Sequence, residues 1–197
     1  MKQGDSQSGQ GPQIRTKGPE NNGQPPAKAT APSPWIVRFA PLVRSGGSVL
    51  DLACGSGRHS RLFLDLGHPV LAVDRDVSRF KGPDQQANLE ILACDLETGG
   101  VPAFLNRRFD AIVVTNYLYR PLLPSIAAAL APGALLLYET FARGNEKFGR
   151  PSNPDFLLEP GELLTCFGGG LRVLAYEDLE VSAPKPAAVQ RICARRD

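Results

Sequence analysis

The sequence predicts an α/β domain built on a doubly wound, mostly parallel sheet. Three observations carry that expectation. Short, nearly continuous apolar runs alternate with segments of helical periodicity, the pattern of parallel strands covered on both faces. The first run turns through Gly55 and Gly57 into an amphipathic segment. The second and third runs end in carboxylates, Asp74 and Asp95, at the strand end where parallel sheets bind ligands.

Ser33-Pro34 opens the folded part, with Ser as a helix N-cap and Pro at the first helical position. Trp35, Ile36, Phe39, Leu42 and Val43 recur at helical spacing, and Pro41 shortens or kinks that helix. Residues 49–53 form a buried strand. A helix follows from Gly57, with Leu62, Phe63, Leu64 and Leu66 apolar, and stops at Gly67-His68-Pro69. Residues 70–74 are the second strand. Residues 76–86 form a short helix or loop around Gly82-Pro83, and residues 89–95 the third strand. Residues 109–114 make the fourth strand. An Ala- and Leu-rich helix runs from Leu122 to Leu130, closed by Ala131-Pro132-Gly133, and residues 134–138 form the fifth strand. A polar stretch, 141–160, is broken by Gly144, Gly149, Pro151, Pro154 and Pro160; loops of that length in compact domains serve function or lack order. A short helix over 161–167 and two closing strands, 171–182 and 187–194, complete the chain.

Composition narrows the possibilities. The 197 residues suffice for one domain with a sizeable core. Residues 1–34 hold five Gly, six Pro and five Gln, too little apolar surface to offset the entropy of ordering. Residues 1–32 are therefore expected to be a disordered tail and residues 33–197 the domain. Of the 22 basic and 20 acidic side chains, four and two lie in residues 1–34, leaving 18 of each in the remainder. A neutral domain gives no electrostatic footprint for nucleic acid. No apolar run is long enough to span a bilayer, and the start lacks the apolar core of a signal peptide. The four cysteines show no C-x-x-C pair or disulfide framework, and the two histidines are scattered, so no metal site is expected and the reading is cytoplasmic.

The chemistry-bearing residues follow the strands. Gly55 and Gly57 can take positive φ and let a ligand approach the backbone. Asp74, seventeen residues after Gly57, can accept two hydrogen bonds from a ribose diol, and Asp95 can accept from an adenine amino group. Asn116, Tyr117 and Tyr119 follow strand four; Glu139 and Thr140 follow strand five. A dinucleotide-binding loop is the rival for the glycines, but its fingerprint places Gly or Ala where this chain has Ser60, and it leaves Asp51 and Asp95 unexplained.

With these residues in place, the chain resembles the class I methyltransferases that use S-adenosylmethionine. Their E/D-x-G-x-G-x-G motif reads Asp51-x-Ala53-x-Gly55-x-Gly57, with Ala53 replacing the first glycine. Val73-Asp74, Cys94-Asp95-Leu96, Phe109-Asp110-Ala111-Ile112 and Leu130-Ala131-Pro132-Gly133 match the later motifs, so that the resemblance covers roughly residues 33–195. The turn through Cys54 to Ser60 is similar to that of small stand-alone bacterial members, including the tellurite-resistance type. The resemblance implies a Rossmann-like, seven-stranded sheet in the order three-two-one-four-five-seven-six with one antiparallel strand. It implies S-adenosylmethionine as cofactor. Ala53, Gly55 and Gly57 would line its amino-acid portion, with Arg58 a candidate partner for the carboxylate, and Asp51 counts among the cofactor-binding residues. Asp74 would hold the ribose hydroxyls, with Arg75 beside the adenine. Asp95 and Leu96 would frame the adenine, and Asn116 would lie near the methionine moiety. Tyr117, Tyr119 and Glu139 are the candidate catalytic residues should the acceptor need a base. A small-molecule acceptor is expected. An RNA or protein acceptor, a non-catalytic cofactor-binding module and an NAD-binding protein are the alternatives. The stretch from Phe141 to Pro160 is expected to act as a lid, with Arg143, Asn145, Glu146, Lys147, Phe148 and Arg150 reading a polar substrate.

Overall fold

The computed structural model describes Met1, residues 31–81 and residues 87–197. The tail reading for residues 1–32 therefore falls almost entirely outside the described residues, as does the Gly82-Pro83 part of the segment after the second strand.

Seven strands form one sheet: β1 (Val49–Leu52), β2 (Val70–Asp74), β3 (Leu89–Ala93), β4 (Phe109–Thr115), β5 (Leu130–Phe141), β6 (Arg172–Val181) and β7 (Ala187–Arg195). Their order is β3-β2-β1-β4-β5-β7-β6. Pairings from β3 to β5 are parallel, and β7 runs antiparallel to both of its neighbours. The strand order reverses between β1 and β4, the switch at which such sheets open a crevice beyond their carboxyl ends.

Alternation along the strands divides the core into two layers. Leu50, Leu52, Val73, Ile112, Val114, Leu136 and Tyr138 face the layer under helices α3 (Leu123–Ala128) and α4 (Glu162–Phe167). Val49, Val70, Ala72, Ala111, Val113, Leu135 and Leu137 face the layer under α1 (Pro34–Phe39) and α2 (Arg58–Asp65). Each fully buried Leu, Val or Phe adds roughly 1.5–3 kcal/mol of apolar burial.

The helices are shorter than the periodicity suggests. Ser33 caps α1 by accepting from the Trp35 amide, and Pro41 turns its end into a 3-10 turn over Ala40–Leu42. The Ala- and Leu-rich segment is helical only to Ala128. β5 begins at Leu130 instead of Ala134, because Gly133, at φ 79°, lets the chain bulge while its amide donates to the Arg196 carbonyl at 2.7 Å. Arg196 also donates to the Ala128 and Leu130 carbonyls at 2.9 and 2.7 Å, satisfying the orphan acceptors at the end of α3. β3 departs from the rule that both faces are covered. Glu90, Ile91 and Ala93 are exposed, since the crossover before it holds a 3-10 turn (Val77–Arg79) and no helix among the described residues. No helix among the described residues is long and apolar enough to cross a membrane.

Candidate active site

The turn after β1 is built without a side-chain cap. Gly57 sits at φ 73° just before α2 and has no side chain to satisfy the helix amides. Asp51 supplies that acceptor from inside the strand. Its Oδ2 accepts from the Ser60 amide at 2.9 Å and from the Ser60 hydroxyl at 2.6 Å, placing a carboxylate at the positive end of the helix. Burial pushes the Asp51 carboxyl up to about 6, and the Ser60 hydrogen bonds limit that rise. Asp51 is thus a framework residue of the loop and is not among those lining the cleft.

Ala53 and Gly55 are both left-handed, at φ 55° and 56°. Ala53 occupies a glycine conformation despite its methyl group, which costs an L residue about 1–2 kcal/mol. Part of that is offset by the lower chain entropy of alanine in the unfolded state. Ala53→Gly is expected to stabilise the domain by about 0.5–1 kcal/mol, read as a higher denaturant midpoint at unchanged slope. The Gly55 amide donates to Asp74 Oδ2 at 2.8 Å, and Asp74 Oδ1 accepts from the Asp76 amide at 3.0 Å. Two of roughly four acceptor positions on the carboxylate are thereby used, and two remain for a ligand.

His59 is buried, and its Nε2 accepts from the Ser33 amide at 3.1 Å. The proton is therefore on Nδ1, which faces the Thr115 hydroxyl at 3.4 Å. The ring links the start of α1 to the end of β4. Burial, then Arg58 and Arg61, lowers its pKa to about 3 from an ordinary 6.5. Above pH 6.5 the ring is neutral in both folded and unfolded chains. Between pH 6.5 and 3 the unfolded chain takes a proton that the folded one refuses, so His59 lowers stability as the pH falls. Asp51 has the opposite sign: its folded carboxyl holds a proton that the unfolded chain releases between pH 3.8 and 6. The stability advantage of the wild type over His59→Asn is expected to shrink from pH 6.5 to pH 4, by up to about 1.4 kcal/mol per pH unit. Urea unfolding of both proteins across that range measures it; a constant difference would show that the ring is not held neutral.

A cleft of about 460 Å³ crosses the carboxyl ends of the strands, and its two halves differ in chemistry. Its charged lining, Asp74, Arg75, Arg79, Asp95 and Glu97, lies on the β2–β3 side. On the β4–β5 side the lining is Asn116, Tyr117, Leu118, Thr140 and Phe141, completed by Pro151 and Phe156, with no charged side chain. A second, smaller groove of about 210 Å³ lies across the amino ends of β1 to β4, away from the glycine loop.

Of the sequence-predicted residues, Ala53, Asp74, Arg75, Asp95, Leu96, Asn116 and Tyr117 meet in this cleft. Asn116 is left-handed at φ 55°, and its amide donates to the Glu139 carbonyl at 3.0 Å. Asp95 also closes an Asx turn by accepting from the Glu97 amide at 3.0 Å. Gly55 and Gly57 shape the loop, while Arg58 is outside the lining.

The catalytic candidates fare differently. Glu139 is buried in an ion pair with Arg191 at 2.5 Å, its cross-strand partner on β7, and Arg191 also meets Glu177 at 3.1 Å. A carboxylate held this way lies outside the cleft, which corrects its reading as a base. Tyr119 packs against the α3–α4 core layer and does not line the cleft. Tyr117 does line it, but burial, followed by Glu97, Tyr119, Asp95 and Asp74, pushes its phenol well above the ordinary range. It stays protonated at neutral pH and can donate but not act as a base. Its hydroxyl is buried without a hydrogen-bond partner, an orphaned donor among carboxylates. The loop is tied to β5 by the Tyr138 hydroxyl, which donates to the Tyr117 carbonyl at 2.8 Å.

The 141–160 stretch packs beside the cleft through a few buried residues, with most of its length exposed. Leu157 and Leu158 are fully buried, and Asn145 is 2% exposed. Arg143 pairs with Glu159 at 2.6 Å, and Lys147 pairs with Glu180. Two of the charges expected to read a polar substrate, Arg143 and Lys147, are thus engaged with neighbouring carboxylates. Sequence reasoning missed Arg79 and Glu97 as lining residues; Phe141, Pro151 and Phe156 fall within the stretch expected to act as a lid, though none of them was singled out as a contact.

A family model described as a methyltransferase domain matches residues 27–157. No curated protein matches by sequence. Among solved structures, TehB from Haemophilus influenzae superposes with a TM-score of 0.69 at 18% identity, over 87% of this chain and 64% of its own length. This chain thus spans less than two thirds of TehB. A 1,6-didemethyltoxoflavin-N1-methyltransferase from Burkholderia thailandensis, with its substrate and S-adenosylhomocysteine bound, gives 0.57 at 20% identity over 82% of this chain and 76% of that one. The N-methyltransferase NodS from Bradyrhizobium japonicum gives 0.59 at 15% identity over 81% and 93%. At such identities these likenesses speak for the fold.

Proposed function

Because the chain belongs to the methyltransferase-domain family, whose cofactor is S-adenosylmethionine, we propose that it methylates a small molecule within the cleft at the carboxyl ends of β1 to β5. The observation that carries this reading is the convergence of Ala53, Asp74, Asp95 and Asn116, from four separate loops, on one crevice. The residues present fit the cofactor. Asp74 has acceptor capacity left for a ribose diol, and the Tyr117 hydroxyl is a buried donor lacking a partner.

The cofactor supplies an already activated methyl group, so alignment of the acceptor provides much of the catalysis. In this reading Asp74 and Asp95 orient the nucleoside end. The left-handed Ala53–Gly55 backbone lets the amino-acid end lie close to the loop. Thr140 and Phe141 would border the space for the acceptor in the neutral half of the cleft. The balanced charge of residues 35–197 and the modest cleft volume favour a small molecule over RNA or protein. The test is formation of S-adenosylhomocysteine by the purified protein with a small-molecule metabolite extract, beside total RNA and denatured protein. Turnover only with a macromolecular fraction would overturn the acceptor class.

A further inference from the structure

The neutral half of the cleft is held rigid by polar groups that do not themselves face the acceptor. Arg120 donates to the Asp155 carbonyl at 2.8 Å and the Leu157 carbonyl at 2.9 Å, the two carbonyls flanking Phe156. Its guanidinium is also paired with Glu162 through Nε at 2.7 Å and Nη2 at 2.9 Å. Asn145, nearly fully buried, donates to the Pro151 carbonyl at 2.9 Å and accepts from the Ala188 amide at 3.3 Å. Pro151 and Phe156 are thus held through the backbone at or beside them. Phe156 nonetheless remains 47% exposed although its neighbours Leu157 and Leu158 are buried. Phe156 joins Phe141 and Pro151 in lining the neutral half of the cleft, where an anchored aromatic ring offers a flat apolar contact to a ligand.

From this wall, resting on the methyltransferase reading above, we infer that the acceptor is a flat aromatic or heteroaromatic molecule whose body, apart from the reacting atom, carries no charge. It lies against Phe141, Pro151 and Phe156, and its nucleophilic atom reacts without a base from the protein. Ring faces on Phe and Pro favour flat apolar partners through area and offset stacking. A charged acceptor body would find no counter-charge on this side of the cleft. No base faces it either, since Glu139 is paired with Arg191 and the Tyr117 phenol stays protonated. The acceptor atom therefore brings its own lone pair, as a ring nitrogen or an aryl thiolate. That pair forms the new bond to the methyl carbon. The carbon–sulfur bond breaks and its electrons leave with sulfur. A neutral nitrogen acceptor leaves as a cation, or loses a ring proton to solvent; a thiolate leaves as a neutral thioether.

Ligand-observed NMR on the protein saturated with S-adenosylhomocysteine tests the inference, with quinoline and 2-naphthalenethiol as probes and glycine and guanidinoacetate as polar controls. Calorimetry first establishes that S-adenosylhomocysteine binds; failure there would reject the methyltransferase reading itself. With that binding in place, the aromatic probes are expected to bind at least tenfold more tightly than the polar controls. Phe156→Ala, at an exposed position, should weaken the aromatic probes five- to tenfold and leave cofactor affinity unchanged. Arg120→Met should give a similar loss by freeing the backbone beside Phe156. Equal binding of polar and aromatic probes, or no change in Phe156→Ala, would overturn the proposal. For any probe that is methylated, kcat/KM should follow the probe's own ionisation; a pKa shared by all acceptors would reveal a base on the protein and overturn the second half.

Discussion

Asp74→Ala is expected to raise the dissociation constant for S-adenosylmethionine at least tenfold. In the proposed site the carboxylate accepts from two ribose hydroxyls, and hydrogen bonds to a charged group contribute about 1.5–3 kcal/mol each. The same side chain also holds the Gly55 amide at 2.8 Å and the Asp76 amide at 3.0 Å. Its removal therefore loosens the glycine loop as well as deleting acceptors. Asp74→Asn separates the two effects. An amide oxygen can still accept from Gly55, so the loop keeps its shape while the charge is lost, and the weakening should fall between wild type and Asp74→Ala. Titration calorimetry measures all three proteins, and circular dichroism checks that each is folded. Wild-type affinity in both folded variants would remove Asp74 from the cofactor site.

The sheet was legible because burial on both faces writes itself as unbroken apolar runs. Val70 to Val73 and Ala111 to Val114 are buried throughout. The strand order followed from the resemblance and agrees with the observed pairing. The charged half of the cleft was legible for a related reason. Asp74 and Asp95 sit at or just past strand ends, where the backbone fixes their position with little help from tertiary contacts. The neutral half was not. Glu139 also stands near a strand end, but its function is set by Arg191, more than fifty residues away, and only the register of β5 with β7 brings the two together. The same holds for the wall. Arg143 and Lys147 looked available in the sequence, yet carboxylates at Glu159 and Glu180 take them, while Phe156 is displayed by Arg120 from another loop. Single-residue chemistry can be read from sequence; which charges cancel one another depends on distant pairings.

Gly57→Ala should be among the most damaging single-methyl changes at the described glycines. Gly57 lies at φ 73°, and a Cβ there would stand 2.3–2.7 Å from three ring atoms of Phe80. Relaxation is restricted, because the backbone beside Phe80 is tied to the loop: the Lys81 amide donates to the Ser56 carbonyl at 3.1 Å, and Arg61 bridges the Ser56 and Lys81 carbonyls. Left-handed strain of about 1–2 kcal/mol and overpacking of about 1–3 kcal/mol together predict a destabilisation of roughly 2–5 kcal/mol. Displacing Gly57 also displaces Gly55 and its contact with Asp74, since the Gly57 amide is bonded to the Cys54 carbonyl at 2.9 Å. Cofactor affinity should therefore fall at least tenfold in whatever fraction remains folded. Phe80→Ala isolates the steric part. In the double variant the clash disappears and only the backbone strain remains, so the two substitutions should be less harmful together than their sum by about 1–3 kcal/mol. Denaturant unfolding of the four proteins gives that coupling directly. Strict additivity would mean that Phe80 does not set the shape of the loop, and that the strain of a left-handed alanine alone accounts for the damage.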